Sequence, residues 1–425
     1  MAKLVGCDNF VRNNPRSDKF EVLVFHHIEF VCGDAQSTAA RWAAALGMDL
    51  VARTDLTTGN SRFSSRALRS RRLRFVFSAA SSTDEDLDPA FPSITLSPAA
   101  MTRYVTTHGL AVFAVGIHVA DARVAFERAV ASGAVPATEP RSAPGDEENV
   151  VVSEVLLHAD GDTVLRFVSG EGLEDQSHSF LPGYTPVASV HGQNGAYGFD
   201  RVDHVVSNVS GLLPAVDYIM AATGFHEFAE FTAADVGTIN SGLNSMVLAS
   251  NNELVLLPVN EPTTGGKRKS QIQTYLDQHR GPGVQHIALK TDDIFYTVRA
   301  MRSALEGRCG FELMDRPRKQ YYQSLPTRLG KGALTEDQLT QCEELGLLAD
   351  RDDQGVLLQV FTKPVGDRAT IFLEIIQRVG CMPEDGGEQL GGCGGFGKGN
   401  FHELFRAIEE YETKAGINGQ PAGGA

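Results

Sequence analysis

The sequence predicts an α+β fold of repeated βαβββ modules that form two open barrels, with a lid helix at the C-terminus. Short strand-like runs alternate with a few helical stretches along the chain. Their order in the first half returns in the second half, which indicates an internal repeat. An amphipathic stretch after residue 400 ends the pattern. The 425 residues exceed most single cores, so we expect two domains.

Composition and charge restrict the class of function. The chain is 42% hydrophobic and 21% charged, as in ordinary globular proteins. Its formal net charge of -15 disfavours nucleic acid and anionic membranes as partners. Apolar runs all fall short of the roughly 20 residues that span a bilayer, and residues 1–7 resemble neither a signal peptide nor a transit peptide. We therefore expect a cytoplasmic protein.

Six scattered cysteines are a further clue to the compartment. None forms a CxxC pair, so a zinc knuckle or a thioredoxin-like motif is disfavoured. Reduced thiols are the expectation for a cytoplasmic protein.

The first half contains the elements of two modules. Residues 35–46 are Ala-rich and are followed by Gly47, a pattern typical of a helix and its C-terminal stop. A second helix is expected at residues 122–132. Predicted strands cover residues 25–31, 72–77, 114–121, 151–157 and 163–168, the last two as a hairpin. A polar loop is expected at residues 79–98.

Residues 170–198 are rich in Gly, Pro, Ser and His without periodicity, which is typical of an interdomain connection. We therefore predict a non-catalytic domain at residues 1–185 and a catalytic domain at residues 186–425. In the second domain the pattern starts again. Helices are expected at residues 212–223 and 293–305, and strands at residues 202–208, 245–249, 253–258, 285–289, 356–362 and 370–376.

One ionisable side chain interrupts each of three apolar strands in the second half. These side chains are His204, His286 and Glu374. Burying an unpaired carboxylate costs several kcal/mol or more, which favours a bound cation near Glu374. Two imidazoles and one carboxylate form the set that holds non-haem Fe(II) on one face. Taken singly, either histidine is more often a hydrogen-bonded core residue than a ligand.

The repeat suggests which half holds the metal. Its alignment places His27 at the position of His204, His118 at that of His286, and Phe167 opposite Glu374. The first half then lacks the carboxylate, and we expect metal only in the second. His226 and His402 are weaker ligand candidates, because both lie on stretches that resemble exposed segments.

Uncharged polar residues interrupt other strands of the same half and predict a small polar ligand. Such residues usually satisfy backbone groups, and that reading stays open for each of them alone. Nearby phenylalanines predict a slot for an aromatic substrate. The polar candidates are Ser245, Asn260, Gln285 and Gln359, and the aromatic ones are Phe361, Phe372, Phe396 and Phe401.

The Gly-rich residues 386–399 end without the GK[ST] sequence of a phosphate-binding loop, so we interpret them as a hinge. Asn400 followed by Glu403 predicts an N-cap with a capping box. The apolar stripe of this helix either packs as core or gates a cavity. It consists of Phe401, Leu404, Phe405, Ile408 and Tyr411.

Several long motifs identify a resemblance. They include FHEF (225–228), SGLNS (241–245), KRKSQIQTY (267–275), DRDDQGVLLQ (350–359), FLEIIQRVGC (372–381) and GGCGGFGKGNF (391–401). The chain resembles the 4-hydroxyphenylpyruvate dioxygenases, most closely their plant-type branch, strongly after residue 200 and loosely before. Departures lie in the first half and in a short stretch at residues 383–390, next to the expected lid.

The resemblance implies the vicinal-oxygen-chelate fold, Fe(II) on His204, His286 and Glu374, and the last helix as a lid. It adds Asn400 to the polar and aromatic candidates as a substrate residue. It also implies a homodimer that acts in tyrosine and phenylalanine catabolism. The expected reaction converts 4-hydroxyphenylpyruvate and O₂ to homogentisate and CO₂ by oxidative decarboxylation, ring hydroxylation and side-chain migration. In plant-type organisms the product is a precursor of plastoquinone and tocopherol.

Two alternatives stay open at this point. A 4-hydroxymandelate synthase would use the same iron and substrate but hydroxylate the benzylic carbon. A non-catalytic protein of the same fold would only bind a small molecule, although the intact triad disfavours that reading.

Overall fold

The structure is a computed structural model. It describes residues 3–6, 9–82, 96–143, 149–173, 180–191, 195–236, 242–264, 268–382 and 389–417. The expected loop at 79–98, the connection at 170–198 and the short stretch at 383–390 lie partly outside these ranges. Within them, every helix is too short or too polar to cross a bilayer.

The described strands form two large sheets. The first sheet contains β1 (Val22–Val31), β2 (Asp49–Thr54), β3 (Phe63–Ser70), β4 (Leu73–Ala80), β5 (Ala111–Val119), β6 (Pro136–Ser142), β7 (Val151–Leu156), β8 (Val164–Ser169) and β9 (Thr185–Pro186). The second contains β10 (Phe199–Asn208), β11 (His226–Phe231), β12 (Leu243–Ala249), β13 (Leu256–Pro262), β14 (Gly283–Thr291), β15 (Leu348–Arg351), β16 (Gly355–Phe361) and β17 (Phe372–Gly380).

The strand order confirms the predicted repeat. The first sheet runs β6-β7-β8-β5-β1-β4-β3-β2, with β9 at its edge, and the second runs β15-β16-β17-β14-β10-β13-β12-β11. The two orders match strand for strand. In both sheets the two central strands are antiparallel, and each has a parallel neighbour on its other side. Each half therefore consists of two βαβββ modules whose sheets curl into an open barrel.

The helices connect these strands or cover the sheets. They are α1 (Ala35–Leu46), α2 (Pro98–His108), α3 (Ala122–Ala131), α4 (Leu212–Thr223), α5 (Ala233–Val236), α6 (Gln271–His279), α7 (Ile294–Glu306), α8 (Lys319–Leu329), α9 (Glu336–Leu345) and α10 (Phe401–Lys414). The bounds of α1 match the prediction. Asp34 caps its N-terminus, and Gly47 ends it in the left-handed conformation at φ 60°.

Sequence analysis did not predict every strand and helix of the structure. Strands β2, β3 and β6 and helices α6, α8 and α9 contain many polar residues, which hide the apolar periodicity of a strand or helix. Helix α8 also contains Pro326, which removes a backbone donor and argues against a helix locally. Packing against the barrel overrides these weak local signals.

A continuous core joins the two halves. Trp42 on α1 is fully buried and packs against Phe30 and Phe77 of its own sheet. Its ring also lies 5.1 Å from that of Phe311 in the second half. This contact packs the first half against the second, whose strands β10, β14 and β17 carry the predicted ligands.

One expectation about cysteines is wrong. Cys381, directly after β17, forms a disulfide with Cys393 in the Gly-rich segment. The two residues are 12 apart in sequence, and their Cα atoms lie 5.9 Å apart, within the usual range for a disulfide. Among the other described cysteines, Cys32, Cys309 and Cys342 are free thiols.

Candidate metal centre

The register of three neighbouring strands brings His204, His286 and Glu374 to one face of the second sheet. Ala288 on β14 lies opposite His204 on one side and opposite Glu374 on the other. His286 precedes Ala288 by two residues and therefore points to the same face. The pairing of β10 with β14 shifts register between Val202 and His204.

The three side chains converge on one point. The Nε2 atoms of His204 and His286 lie 3.1 and 3.5 Å from Oε2 of Glu374. One donor atom from each residue lies within 4.8 Å of the others. All three residues are buried. No other group of this kind exists among the described histidines, cysteines and acidic residues.

Neighbouring side chains orient both imidazoles. Nδ1 of His204 donates to Oδ1 of Asp203 at 2.8 Å, and Nδ1 of His286 donates to Oε1 of Gln285 at 2.9 Å. In both rings the proton is therefore on Nδ1, and the lone pair of Nε2 is available to bind a metal ion. Such partners are typical of metal-bound histidines.

Electrostatics keep Glu374 ionised. Burial alone would raise its pKa, but His204 and His286 lower it to about 2. Burial lowers the pKa of His286. Burial acts in the same direction on His204, but Glu374 and Asp203 outweigh it and raise the pKa of that ring. An ionised carboxylate between two imidazole nitrogen atoms fits a divalent cation, and this donor set is the one that non-haem Fe(II) prefers.

The predicted substrate residues surround a cavity of about 60 Å³ above the three ligands. Each of them lines this cavity: Ser245, Asn260, Gln285, Gln359, Phe361, Phe372, Phe396, Asn400 and Phe401. Ser245 and Asn260 lie opposite each other on β12 and β13. Both residues lie on the part of the curled sheet that is farther from β17.

A chain of hydrogen bonds links Asn400, directly before α10, to Glu374. Gln359 Nε2 donates to Oε1 of Glu374 at 3.2 Å, and Asn400 Nδ2 donates to Oε1 of Gln359 at 3.2 Å. The hydroxyl of Tyr321 donates to Oδ1 of Asn400 at 2.7 Å. All four residues are buried, so these bonds are shielded from water.

Asn400 occupies the predicted N-cap position of α10, but the predicted capping hydrogen bond is absent. Its backbone is helical, at φ -102° and ψ -13°, and its side chain makes no capping hydrogen bond. A short 3₁₀ turn (Lys398–Asn400) precedes α10 instead. The amide of Asn400 is engaged with Gln359 and Tyr321, and a side chain cannot cap the helix and reach into the cavity at once.

Aromatic rings border the cavity on two sides. Phe372 stacks on His286 with centroids 4.8 Å apart, and Phe361 lies edge-on to both rings. Phe396 lies 5.1 Å from the ring of His204, and Phe401 lies 5.1 Å from Phe231. The first pair belongs to the barrel, whereas Phe396 and Phe401 belong to the C-terminal segment.

Sequence reasoning missed several lining residues. Gln271, at the start of α6, is buried, and its Oε1 has no hydrogen-bond partner within the described structure. The signal was present, since Gln271 lies in the motif KSQIQTY. Gly397 also lines the cavity, where a side chain would collide with the amide of Gln359. The remaining missed residues are apolar: Val206, Phe231, Leu243, Val247 and Pro258. Leu404, Phe405 and Ile408, from the predicted apolar stripe of α10, also line the cavity.

The two weaker histidine candidates lie away from the cavity. His402 is exposed on α10, as expected. His226, by contrast, is buried on β11, where its Nε2 lies 3.4 Å from Oε1 of Glu253. The expectation of an exposed position was wrong for His226 because the N-terminal segment and the Gly-rich segment pack over β11.

In the first half, the strand register differs from the one that the predicted alignment of the repeat requires. His27 does correspond to His204, since Gly116 lies opposite His27 as Ala288 lies opposite His204. However, Arg166, not Phe167, lies opposite Gly116 at the position of Glu374. Likewise Ala114, not His118, corresponds to His286, because it lies two residues before Gly116.

The guanidinium of Arg166 is therefore at the centre of the first barrel. It donates to Oε2 of Glu29 at 2.6 Å, to Oε1 of Glu154 at 2.7 Å and to Nε2 of His27 at 2.9 Å. All four residues are buried. A protein cation occupies the place where the second barrel positions its carboxylate.

Together, the curled repeat and the buried His-His-Glu cluster define an enzyme of the vicinal-oxygen-chelate fold with a site suited to a metal ion. Solved structures share the fold. A mutant of 4-hydroxymandelate synthase from Streptomyces coelicolor superimposes with a TM-score of 0.72 at 24% identity, over 93% of this chain and 99% of that one. A xylose isomerase-like TIM barrel/4-hydroxyphenylpyruvate dioxygenase fusion protein gives 0.63 at 20% identity, over 94% of this chain and 54% of that one.

Curated relatives specify the family. The 4-hydroxyphenylpyruvate dioxygenase of Daucus carota is 54% identical over 422 residues, that of Arabidopsis thaliana 52% over 418, and that of Plectranthus scutellarioides 55% over 417. Each alignment covers 96% of this chain and 92–93% of the relative. No family model matches the chain. The chain belongs to the 4-hydroxyphenylpyruvate dioxygenase family, in its plant-type branch, and is a dioxygenase.

Proposed function

We propose that this dioxygenase converts 4-hydroxyphenylpyruvate and O₂ to homogentisate and CO₂ with Fe(II) bound by His204, His286 and Glu374. The observation that carries the proposal is the convergence of these donor atoms within 4.8 Å at the base of a cavity. These three residues would hold Fe(II), which would supply the oxidative chemistry for a 2-oxo acid and O₂.

Uncharged amides next to the ligands orient the substrate. Gln285 and Gln359 each contact a ligand and also line the cavity, so their amides are placed to donate to the 2-oxo acid. Ser245 and Asn260 lie on the farther wall and suit the phenol hydroxyl. The missed Gln271 adds an unsatisfied carbonyl oxygen to the lining of the cavity.

Helix α10 excludes water from the reaction. The cavity of about 60 Å³ is far smaller than the roughly 300–1,000 Å³ of ordinary ligand pockets. A phenyl ring with a three-carbon acid needs more room, so we infer that α10 moves outward to admit substrate and that Phe401 and Leu404 move with it. Phe361 and Phe372 then offer their rings for edge-on or offset contact with the substrate.

The two halves divide the work in this proposal. Residues 1–185 form the non-catalytic barrel, built around Arg166, and residues 186–425 carry the iron site and the gate helix. The proposed assembly is a cytoplasmic homodimer, as the resemblance to the family implies. Light scattering on the purified protein measures the oligomeric state.

Measurements on one purified sample test the proposed function. The purified chain is loaded with Fe(II) and ascorbate and incubated with 4-hydroxyphenylpyruvate while oxygen uptake is recorded and the product is separated by chromatography. Homogentisate with about one bound iron per chain is expected. Formation of 4-hydroxymandelate would contradict the proposed regiochemistry, and substrate binding without oxygen uptake would leave only a binding protein.

A further inference from the structure

Arg378 occupies a position that the reaction described above does not explain. It follows Glu374 by four residues on β17, and its guanidinium is 1% exposed. Nε and Nη2 donate to the two carboxylate oxygens of Asp203 at 2.8 and 2.7 Å. Asp203 in turn accepts the proton on Nδ1 of His204. A continuous chain of charged hydrogen bonds thus leads from Arg378 to a metal ligand.

The other edge of the same guanidinium holds the Gly-rich segment. Nη1 donates to the carbonyl oxygens of Cys393 and Gly395 at 2.5 and 2.7 Å. The guanidinium carbon lies 5.5 Å from the centroid of Phe396, the next residue along the chain. Phe396 in turn contacts the ring of His204. Arg378 therefore touches, directly or through one residue, both the ligand and the segment that closes over it.

The geometry of these bonds fixes the Asp203 carboxylate. Nε and Nη2 of Arg378 form a planar fork that meets both carboxylate oxygens, and Oδ1 of Asp203 also accepts the Nδ1 proton of His204. Lysine has the charge but lacks the fork.

We propose that Arg378 is a positioning residue that fixes His204 from two sides. One edge of its guanidinium holds the Asp203 carboxylate that orients the ring of His204, and the other edge holds the backbone carbonyls next to Phe396, which packs against that ring. The inference rests on the metal site of the proposed function and adds to it the residues that set ligand orientation.

Co(II) is a suitable probe, since its absorption spectrum reports ligand geometry without turnover. We expect Asp203→Asn and Arg378→Lys to weaken Co(II) binding about 10- to 100-fold and to alter the spectrum. Arg378→Lys should also raise KM in the Fe(II) enzyme, because the contacts to the segment are lost. Asp203→Asn keeps those contacts and should raise KM less.

The matched control is Arg166→Lys, which weakens an equally buried arginine–carboxylate cluster in the other barrel. It should lower the melting temperature but leave Co(II) binding and its spectrum unchanged. If a single variant does not fold, the double variant Asp203→Asn with Arg378→Gln removes both charges together, and we expect it to show the same weakening.

Two results would overturn the inference, and they are distinguishable. Folded variants that bind Co(II) like the unmodified chain would reduce Arg378 to a structural ion pair and leave the metal site intact. Failure of the unmodified chain to bind Co(II) would overturn the metal site itself.

Discussion

At the scale of single residues, Glu374 is the side chain whose burial demands a cation. It is 3% exposed, and its nearest partners, His204 and His286, are imidazoles that carry no fixed charge. Replacing it with glutamine preserves shape and removes the charge. We expect Glu374→Gln to lose bound iron and homogentisate formation while the fold persists, as measured by metal analysis and circular dichroism.

Glu29→Gln is the control for this prediction. Glu29 is as buried as Glu374 and contacts Arg166 in the first barrel. Its loss should lower stability without changing iron content. Normal activity and full iron content in Glu374→Gln would refute the ligand assignment.

Gly397 allows a second prediction at this scale. It adopts φ +72°, and an added Cβ would collide with the amide of Gln359. Gly416 adopts φ +67° with open space around it. Alanine at either position costs about 1–2 kcal/mol of backbone strain. Only Gly397→Ala should also lower kcat/KM, by about tenfold or more, because Gln359 is displaced. Equal kinetics of the two variants would exclude a role for the Gln359 position.

At the scale of elements, α10 is either a gate or a packing helix. Phe401 is half-buried, lines the cavity and contacts Phe231 on β11. We expect Phe401→Ala to raise KM about tenfold and to increase oxygen uptake without product, because water and substrate exchange more freely. Steady-state kinetics measured by oxygen electrode and chromatography test both effects.

Tyr411→Ala is the corresponding control. Tyr411 belongs to the same helix and is half-buried, but it lies outside the cavity that holds the ligands. It should reduce stability without raising KM. Kinetics of Phe401→Ala that match those of the unmodified enzyme would show that α10 is only a packing helix.

Strand register explains which predictions from the sequence were correct and which were wrong. The apolar neighbours of His204, His286 and Glu374 revealed buried strands, and the repeat revealed their relation. The alignment of the first half was shifted by one residue at Arg166, since side chains alternate between faces and a single-residue shift exchanges them. Bulges in β1 and β10 add such shifts, and composition does not reveal their positions.

At the scale of the whole molecule, pH acts through buried histidines outside the active site. His158 is 1% exposed, neither ring nitrogen has a hydrogen-bond partner within the described structure, and burial lowers its pKa to about 4. The unfolded chain takes up this proton near pH 6.5, so stability falls as pH drops from 6.5 towards 4. By about pH 5 this loss reaches about 2 kcal/mol.

His158→Leu tests this assignment. Urea unfolding at neutral pH and at about pH 5 should show a smaller difference in unfolding free energy for His158→Leu than for the unmodified chain. His402→Leu, at an exposed position on α10, should leave the difference unchanged. An unaltered pH dependence in His158→Leu would show that other groups cause the acid sensitivity.

The order of amino acids alone was enough to predict the repeated modules, the three candidate ligands that converge in the structure, and the polar and aromatic residues that line the same cavity. These features leave local signals: apolar periodicity, an isolated charge in a strand, and long motifs. Three other features emerged only in the folded molecule. Arg166 replaces the carboxylate in the first barrel, Asn400 turns from the helix end to Gln359, and Arg378 connects His204 to the Gly-rich segment. Those contacts join residues far apart in the chain, and their geometry depends on register, bulges and packing that no local pattern encodes.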